Sequence, residues 1–358
     1  MKKLLVMLLV LAMVLGMVAC TSTEKPADTQ EPADTQEPAD NTDTQEPADA
    51  EEPADDGEFT LGIAHYSTAD NGACVYANVA KQYCDDNGWK YVFLDANNDA
   101  EKQAKDFQDL INMGVDAILT VPVDAAACSD SVLAANEAGI PVCMMDRSVE
   151  EGEYLCLVQS DNVEHGYQSG IAMKDAAVAQ GIEPKDLVVV ELLGDMTSSA
   201  GKERKEGFEK AAEEFGFQIV QSIDAGWVAD QGYNAVMDGF TAHPEANALF
   251  LPSDNCYAAA ALSALEQLGM KKAVGEEGHI IITCVDGGPD GLDGIRDGYI
   301  DATASQQVSY MPVAALDYVA AYVKGEYSAT EGVNVALEPI VVTKDNVESE
   351  ELWANQPT

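Results

Sequence analysis

Basic side chains are scarce in this 358-residue chain: 19 Lys and Arg stand against 63 Asp and Glu, a formal charge of −44. A surface of that sign repels phosphate backbones and anionic lipid headgroups, which excludes nucleic acid as a partner. The signatures of catalysis are missing too. No glycine-rich dinucleotide loop follows the first strand-like run; residues 59–65 lead instead into Tyr66-Ser-Thr-Ala-Asp-Asn71. Neither a phosphate-cradling lysine loop nor a Gly-x-Ser-x-Gly elbow occurs. The four histidines, His65, His165, His243 and His279, lack metal-ligand spacing, and each is expected at the surface or at a helix cap. There is no Cys-x-x-Cys, so a structural zinc site is not expected. Carboxylates abound, yet nothing singles out a glycosidase pair. The expectation is a protein that is not an enzyme and carries no cofactor and no metal. One calcium-like segment, Asp95-x-Asn97-x-Asp99-x-Glu101, offers oxygens at alternate positions. Ala100 stands where the sharp turn wants glycine and Asp106 where a bidentate glutamate belongs, so Asn98 or Asp99 is expected to cap the next helix.

What is present begins at the N-terminus. Lys2 and Lys3 precede an apolar run over residues 4–19, too short and wrongly flanked for a membrane span. Met17-Val18-Ala19-Cys20 resembles the lipobox of bacterial lipoproteins. The resemblance implies a signal peptide over residues 1–19 and acyl lipid on Cys20, placing the protein outside the cytoplasm and anchored to the cell membrane. Thr29-Gln-Glu-Pro-Ala-Asp34 then recurs at 35–40 and 44–49. The unit has nothing larger than alanine to bury, and its prolines and like charges read residues 20–57 as a disordered, extended tether.

Seven cysteines follow Cys20: Cys74, Cys84, Cys128, Cys143, Cys156, Cys256 and Cys284. The count is odd and several lie inside apolar runs, so small buried hydrophobes are the expected role.

From about residue 58, continuous apolar runs alternate with amphipathic ones. Residues 117–119, 187–190 and 280–282 read as parallel strands buried on both faces. Ala104, Phe107, Ile111 and Gly114 keep helical spacing, with Lys105 and Asp109 facing out. Six helices are expected to close on glycine before the next strand, at Gly88, Gly114, Gly139, Gly181, Gly216 and Gly269. That alternation implies doubly wound parallel sheets, in two α/β lobes given the length. Polar residues with functional potential cluster where strands stop: Asp95, Asp124, Asp146-Arg147, Asp161-Asn162, Asp195, Trp227, Ser253-Asp254-Asn255, Asp286 and Gln306. Ligands bind beyond such strand ends in open α/β sheets. For Asp161 and Asp254 a helix N-cap competes with a site role.

Val121-Pro-Val-Asp124, Ile140-Pro-Val142 with Asp146-Arg147, Ser160-Asp-Asn162, Lys202-Glu-Arg-Lys-Glu-Gly-Phe208, Thr241-Ala-His-Pro244, Val285-Asp-Gly287 and Ala302-Thr303 with Gln306 together resemble the type I periplasmic binding proteins, specifically the sugar-binding lipoproteins of ABC importers. The resemblance implies two doubly wound lobes joined by three crossovers, near Ser160-Asp161, near Gln306-Gln307 and over residues 335–338. The N-terminal lobe would hold residues 58–160 with 307–336, and the C-terminal lobe 161–306 with 337–358. It implies a sugar-like ligand held by Asp70, Asp146, Arg147, Arg204, Trp227, Ser253, Asp286 and Gln306, with Trp227 in a polar loop rather than in the core. Truncating Arg204 would then leave the ligand-free fold nearly as stable. Implied partners are an ABC permease with its ATPase subunits, the chain itself acting as a monomer. A sensor that presents its solute to a membrane receptor or histidine kinase would have the same fold. Departures bear on the ligand: Gly72-Ala73 replaces two adjacent aromatics, and Val121 and Ser253 each replace an asparagine. Tyr66 or Tyr76 would supply a replacement stack, and a hexose or cyclitol fits as well as ribose.

Overall fold

The computed structural model describes residues 58–69, 71–328 and 332–356. Cys20, the tether and Asp70 lie outside the described residues. The first sheet contains β1 (Thr60–His65), β2 (Lys90–Asp95), β3 (Ala117–Thr120), β4 (Val142–Met145), β5 (Cys156–Ser160) and a late strand described below as β11 (Val333–Leu337). The second contains β6 (Val188–Leu193), β7 (Gln218–Asp224), β8 (Ala248–Leu251), β9 (Ile281–Asp286), β10 (Ala302–Ser305) and β12 (Ile340–Val342). Their orders, β11-β5-β4-β3-β1-β2 and β12-β10-β9-β8-β6-β7, are the same winding used twice. Every pair is parallel except β12, which runs antiparallel to β10.

Each sheet is buried on both faces, as parallel sheets with crossover helices must be. Alternate residues of the first sheet feed two cores. Leu61, Ile63, Cys143, Met145 and Val158 pack under α1 (Asn71–Asn87) and α9 (Tyr310–Val323). Ala64, Ile118, Met144 and Leu157 pack under α2 (Ala100–Met113) and α3 (Ala125–Glu137). The second sheet repeats the scheme, with α4 (Asn162–Ala179) and α5 (Ser199–Phe215) on one face. Helices α6 (Ala229–Ala242), α7 (Asp254–Gln267) and α8 (Pro289–Asp297) cover its other face. The face under α4 and α5 is anchored by Phe208 stacked on Phe250, with ring centroids 4.0 Å apart.

The chain changes sheet three times. Strand β5 ends at Ser160 in the first sheet, and α4 packs on the second. Strand β10 ends at Ser305 in the second, and α9 packs back on the first. Strand β11 ends at Leu337 in the first, and β12 begins at Ile340 in the second. All six helix-closing glycines lie at positive φ, between 68° and 83°. Among the described residues, no helix is long and apolar enough to cross a membrane.

Two local expectations need correction. On α2 the buried face is Gln103, Asp106, Phe107 and Leu110, while Ala104 is exposed. Spacing alone favoured the apolar Ala104; in fact Gln103 enters because its amide bonds Ala64 O and Val121 O and accepts from Val123 N. Three of the four histidines are buried rather than superficial. His65 bonds Ala73 O, His165 bonds Asp161 O, and His279 lies between Lys272 O and the Asp301 carboxylate. Backbone and carboxylate partners make those burials affordable in a way that residue type does not reveal.

The calcium-like segment is used up internally. Asp99 caps α2 through Lys102 N, Asp95 accepts from Thr68 and Asn97, and Asp106 pairs with Lys102. Five of the seven cysteines, Cys84, Cys128, Cys143, Cys156 and Cys284, are buried thiols.

Candidate ligand-binding site

Strand carboxyl ends of both sheets carry the polar groups in question. The second sheet supplies most of them, and Asp286 is their junction. Its Oδ1 accepts from Arg204 Nη1 at 2.7 Å and from Gln306 Nε2 at 2.6 Å, while Oδ2 accepts from Ser253 Oγ at 2.5 Å. The residue sits at φ 102°, a strained conformation held by its surroundings. From behind, Trp353 Nε1 donates to the Asp286 carbonyl at 2.9 Å.

Arg204 is placed by close helix packing. A Cβ on Gly207 of α5 would lie 1.9 Å from Val163 O of α4, so only glycine lets the two helices approach this far. At that separation Arg204 Nε reaches Asn162 Oδ1 at 2.9 Å, and Nη1 also reaches Pro252 O at 2.7 Å. Nη2 has no hydrogen-bond partner among the described residues. Planar guanidinium geometry thus leaves a pair of directed donors for an incoming oxygen. Arg204 is nonetheless only 5% exposed, against the expectation of a group standing free in an open cleft. Removing it would strand a buried carboxylate, so the fold does not stay indifferent to its loss.

Trp227 lies half-buried at φ 58°, its amide donating to Tyr257 Oη at 2.7 Å and its ring stacked near Tyr257 at 6.3 Å. Gly194 clears space for the indole, since a Cβ there would fall 2.0 Å from its Cη2. The Arg204 guanidinium lies 5.7 Å from the indole, so cation and aromatic face form adjoining walls.

Ser253 caps α7 by accepting from Cys256 N at 3.1 Å and spends its one proton on Asp286. Its neighbour Asp254, weighed above as that cap, has a different role. Fully buried, it accepts from Gly287 N, Gly288 N and Thr303 Oγ1, which fixes the turn behind Asp286. Burial, and then the nearby Asp286 charge, push its carboxyl up to about 8 against those three bonds. Asp161 is the N-cap of α4, through Glu164 N.

In the first sheet β4 is followed directly by Asp146, which turns at φ 64°. Its carboxylate lies 3.4 Å from Arg147 Nε and 3.5 Å from Tyr76 Oη. Arg147 is exposed, its guanidinium 4.9 Å from the Tyr66 ring, and Nη1 donates to Pro122 O at 3.3 Å. Tyr66 and Tyr76 are both buried beside this pair. Tyr76 donates to Met311 Sδ and has its phenol raised by burial first and then by Asp146, with Asp286 contributing as well. The two clusters therefore share one neighbour. Gln306 joins them more directly: while Nε2 donates to Asp286, Oε1 accepts from Ser160 Oγ at 2.7 Å, so one amide spans two crossovers.

Arg204, Trp227, Ser253, Asp286 and Gln306 thus meet at one place, and Asp146 with Arg147 stands at the end of the other sheet. Asn162, Asp254 and Tyr257 complete the arrangement; the sequence put Asn162 and Asp254 among the polar residues at strand ends but outside the ligand-holding set, and it gave Tyr257 no role. Deeper in the hinge, His165 is driven down to about 4, chiefly by burial and then by Arg204. A recess of about 170 Å³ lined by Ile140, Pro141, Tyr154 and Tyr322 opens at the amino ends of β4 and β5, away from all these groups.

Two doubly wound lobes with three connecting segments, and polar groups at facing strand ends, define a two-lobed solute-binding protein. The chain belongs to the periplasmic binding protein family, in its type I sugar-binding branch, and is a binding protein rather than an enzyme. Residues 66–327 match the family model described as a periplasmic binding protein domain. The chain is 34% identical over 252 residues to the ribose import binding protein of Bacillus subtilis (strain 168), covering 70% of this chain and 77% of that one. It is 30% identical over 268 residues to the xylitol-binding protein of Mycolicibacterium smegmatis, covering 74% and 72% respectively. In fold it is similar to the periplasmic binding protein component of an arabinose ABC transporter from Shewanella sp. ANA-3, with TM-score 0.71 and 24% identity over 82% of this chain and 94% of that one.

Proposed function

We propose that this chain captures a sugar or a related polyhydroxylated solute outside the cytoplasm, closes on it about the three-segment hinge, and delivers it to the permease of an ABC importer. Lipid on Cys20 would hold it at the membrane, with residues 20–57 as the spacer. The observation that carries the reading is the Asp286 junction, where an arginine, a hinge glutamine and a serine converge on one carboxylate beside a half-buried tryptophan. Vicinal hydroxyls suit such a site. Carboxylates accept from them, the free Arg204 Nη2 donates to ring or hydroxyl oxygens, and the indole covers an apolar C–H face. Relatives named for ribose and for xylitol support the class of ligand without choosing a member of it.

Thermal unfolding against a panel of pentoses, hexoses, polyols and cyclitols tests the ligand class. A true ligand at ~100 times its dissociation constant adds about 2.7 kcal/mol to stability. A panel that leaves the midpoint unmoved, while an amino acid or a peptide raises it, would overturn the assignment. Separately, Cys20→Ser is expected to release the protein from the membrane fraction; unchanged retention would rule out the anchor.

A further inference from the structure

Two of the buried cysteines face each other. Cys143 on β4 and Cys156 on β5 are direct partners in the parallel ladder. Both are completely excluded from water and both belong to the core face covered by α1 and α9, so their side chains point the same way. Neighbouring strands lie about 4.8 Å apart. That separation falls within the roughly 4.4–6.8 Å between Cα atoms that a disulfide tolerates. The Cys143 thiol is within hydrogen-bonding reach of Cys156, whose Sγ also leans towards Ala315 O at 3.7 Å. No other described cysteines are ladder partners. Cys84 shares the same core from α1, Cys128 and Cys284 lie in separate cores, and Cys74 and Cys256 are half-exposed.

We propose that Cys143 and Cys156 are a disulfide site, joined as the chain folds in an oxidising compartment outside the cytoplasm. The thiolate of one attacks the disulfide of an external oxidant, either oxidised glutathione or a disulfide-carrying oxidoreductase, and forms a mixed disulfide. The second thiolate displaces the oxidant's sulfur. In sum two thiols lose two protons and two electrons, and the oxidant's disulfide becomes two thiols. The exchange precedes the closing of α9 over the strands, because once buried neither thiol meets oxidant. The link ties together the strand that leads into Asp146 and the strand that ends at Ser160, one followed by first-sheet site residues and the other by the first crossover. It therefore braces the half of the site that has fewer hydrogen bonds of its own.

The experiment uses the full chain, unfolded under reducing conditions and refolded in parallel in reductant or in a reduced/oxidised glutathione mixture. Alkylation, digestion without reduction and mass spectrometry then read the linkages. The expected result is a Cys143–Cys156 peptide pair as the dominant cross-link in the oxidised arm. That protein should show native circular dichroism and a higher denaturation midpoint than the reduced arm, and the gain should be absent in Cys156→Ala. Native reduced protein exposed to the same mixture without unfolding should stay unlinked. Recovery of Cys143 and Cys156 fully alkylated after oxidative refolding would overturn the proposal, as would cross-links scattered over other cysteines. The linkage map is read on the unsubstituted chain, so it decides the matter even if Cys156→Ala fails to fold.

Discussion

Arg204 has two jobs that pull its mutational consequences apart from those of its neighbour Trp227. Its Nη2 has no hydrogen-bond partner among the described residues, and its Nη1 neutralises Asp286 in a pair whose side chains are 6% and 11% exposed. In Arg204→Ala the ligand oxygen loses a charged donor, which costs about 1.5–3 kcal/mol of binding, or roughly tenfold or more in affinity. Asp286 is left buried without its cation, and stranding one member of such a pair costs about 3–5 kcal/mol of stability. Both losses are expected, in titration calorimetry and in ligand-free denaturation respectively. Trp227→Ala should lower affinity by a similar factor but cost less stability than the about 3–5 kcal/mol of a fully buried tryptophan, since the residue is only half-buried. Normal affinity with a large stability loss would make Trp227 a core residue instead. At this scale the sequence made residue types at strand ends legible, because the carboxyl edge of a parallel sheet is where charged side chains have a reason to stand. It did not reveal that Arg204 is buried, or that Asp254 rather than Ser253 holds the turn of Gly287. Those facts depend on partners far along the chain, across strands whose register no local pattern encodes.

Among elements, the α4–α5 contact governs the site from a distance. Gly207→Ala would place a methyl 1.9 Å from Val163 O, so α5 must move off α4. Overpacking of this kind costs about 1–3 kcal/mol, read as a lower denaturation midpoint. Arg204 rides on the same helix one turn earlier, so affinity should fall as well; a destabilised variant with unaltered affinity would show that Arg204 is positioned independently. A second element-level device is the loop before β9, held by His279. Burial alone would lower this imidazole, but the bond to Asp301, the Asp301 charge and Lys272 O outweigh it, and the net shift is upward. A histidine raised in the folded state contributes stability that is fully present below its unfolded value of about 6.5 and is lost as pH rises through the folded value. The gap in unfolding free energy between wild type and His279→Asn should therefore be wide near pH 6 and narrow towards pH 9; a constant gap would contradict the ion pair. Strands and helix ends could be read in advance because continuous apolar runs and closing glycines are local signals. The inward face of α2 could not, since Gln103 is drawn inside by carbonyls of β1 and of the segment after β3.

For the molecule as a whole, two buried carboxyls tilt stability in the same direction as His279. Asp254 stands near 8, and Glu191 is pushed up to about 7 by burial against its bond from Ser222. Between about pH 6.5 and pH 8 the folded chain holds protons on these groups that the unfolded chain releases, so stability should decline as pH rises across that window, whereas below it His165, driven down to about 4, opposes them. The doubled winding and the three changes of sheet were foreshadowed by the βα alternation and by motifs spread along the chain. Closure about that hinge is the central claim, and it requires both sheets to hold the same solute. Titration calorimetry on Asp146→Ala, from the first sheet, and Gln306→Ala, from the second, with a ligand identified on the wild-type protein, tests this most directly. The account predicts that each substitution weakens binding by roughly tenfold or more. Full affinity in either variant, with the protein folded, would mean that one lobe binds alone and would contradict capture between two.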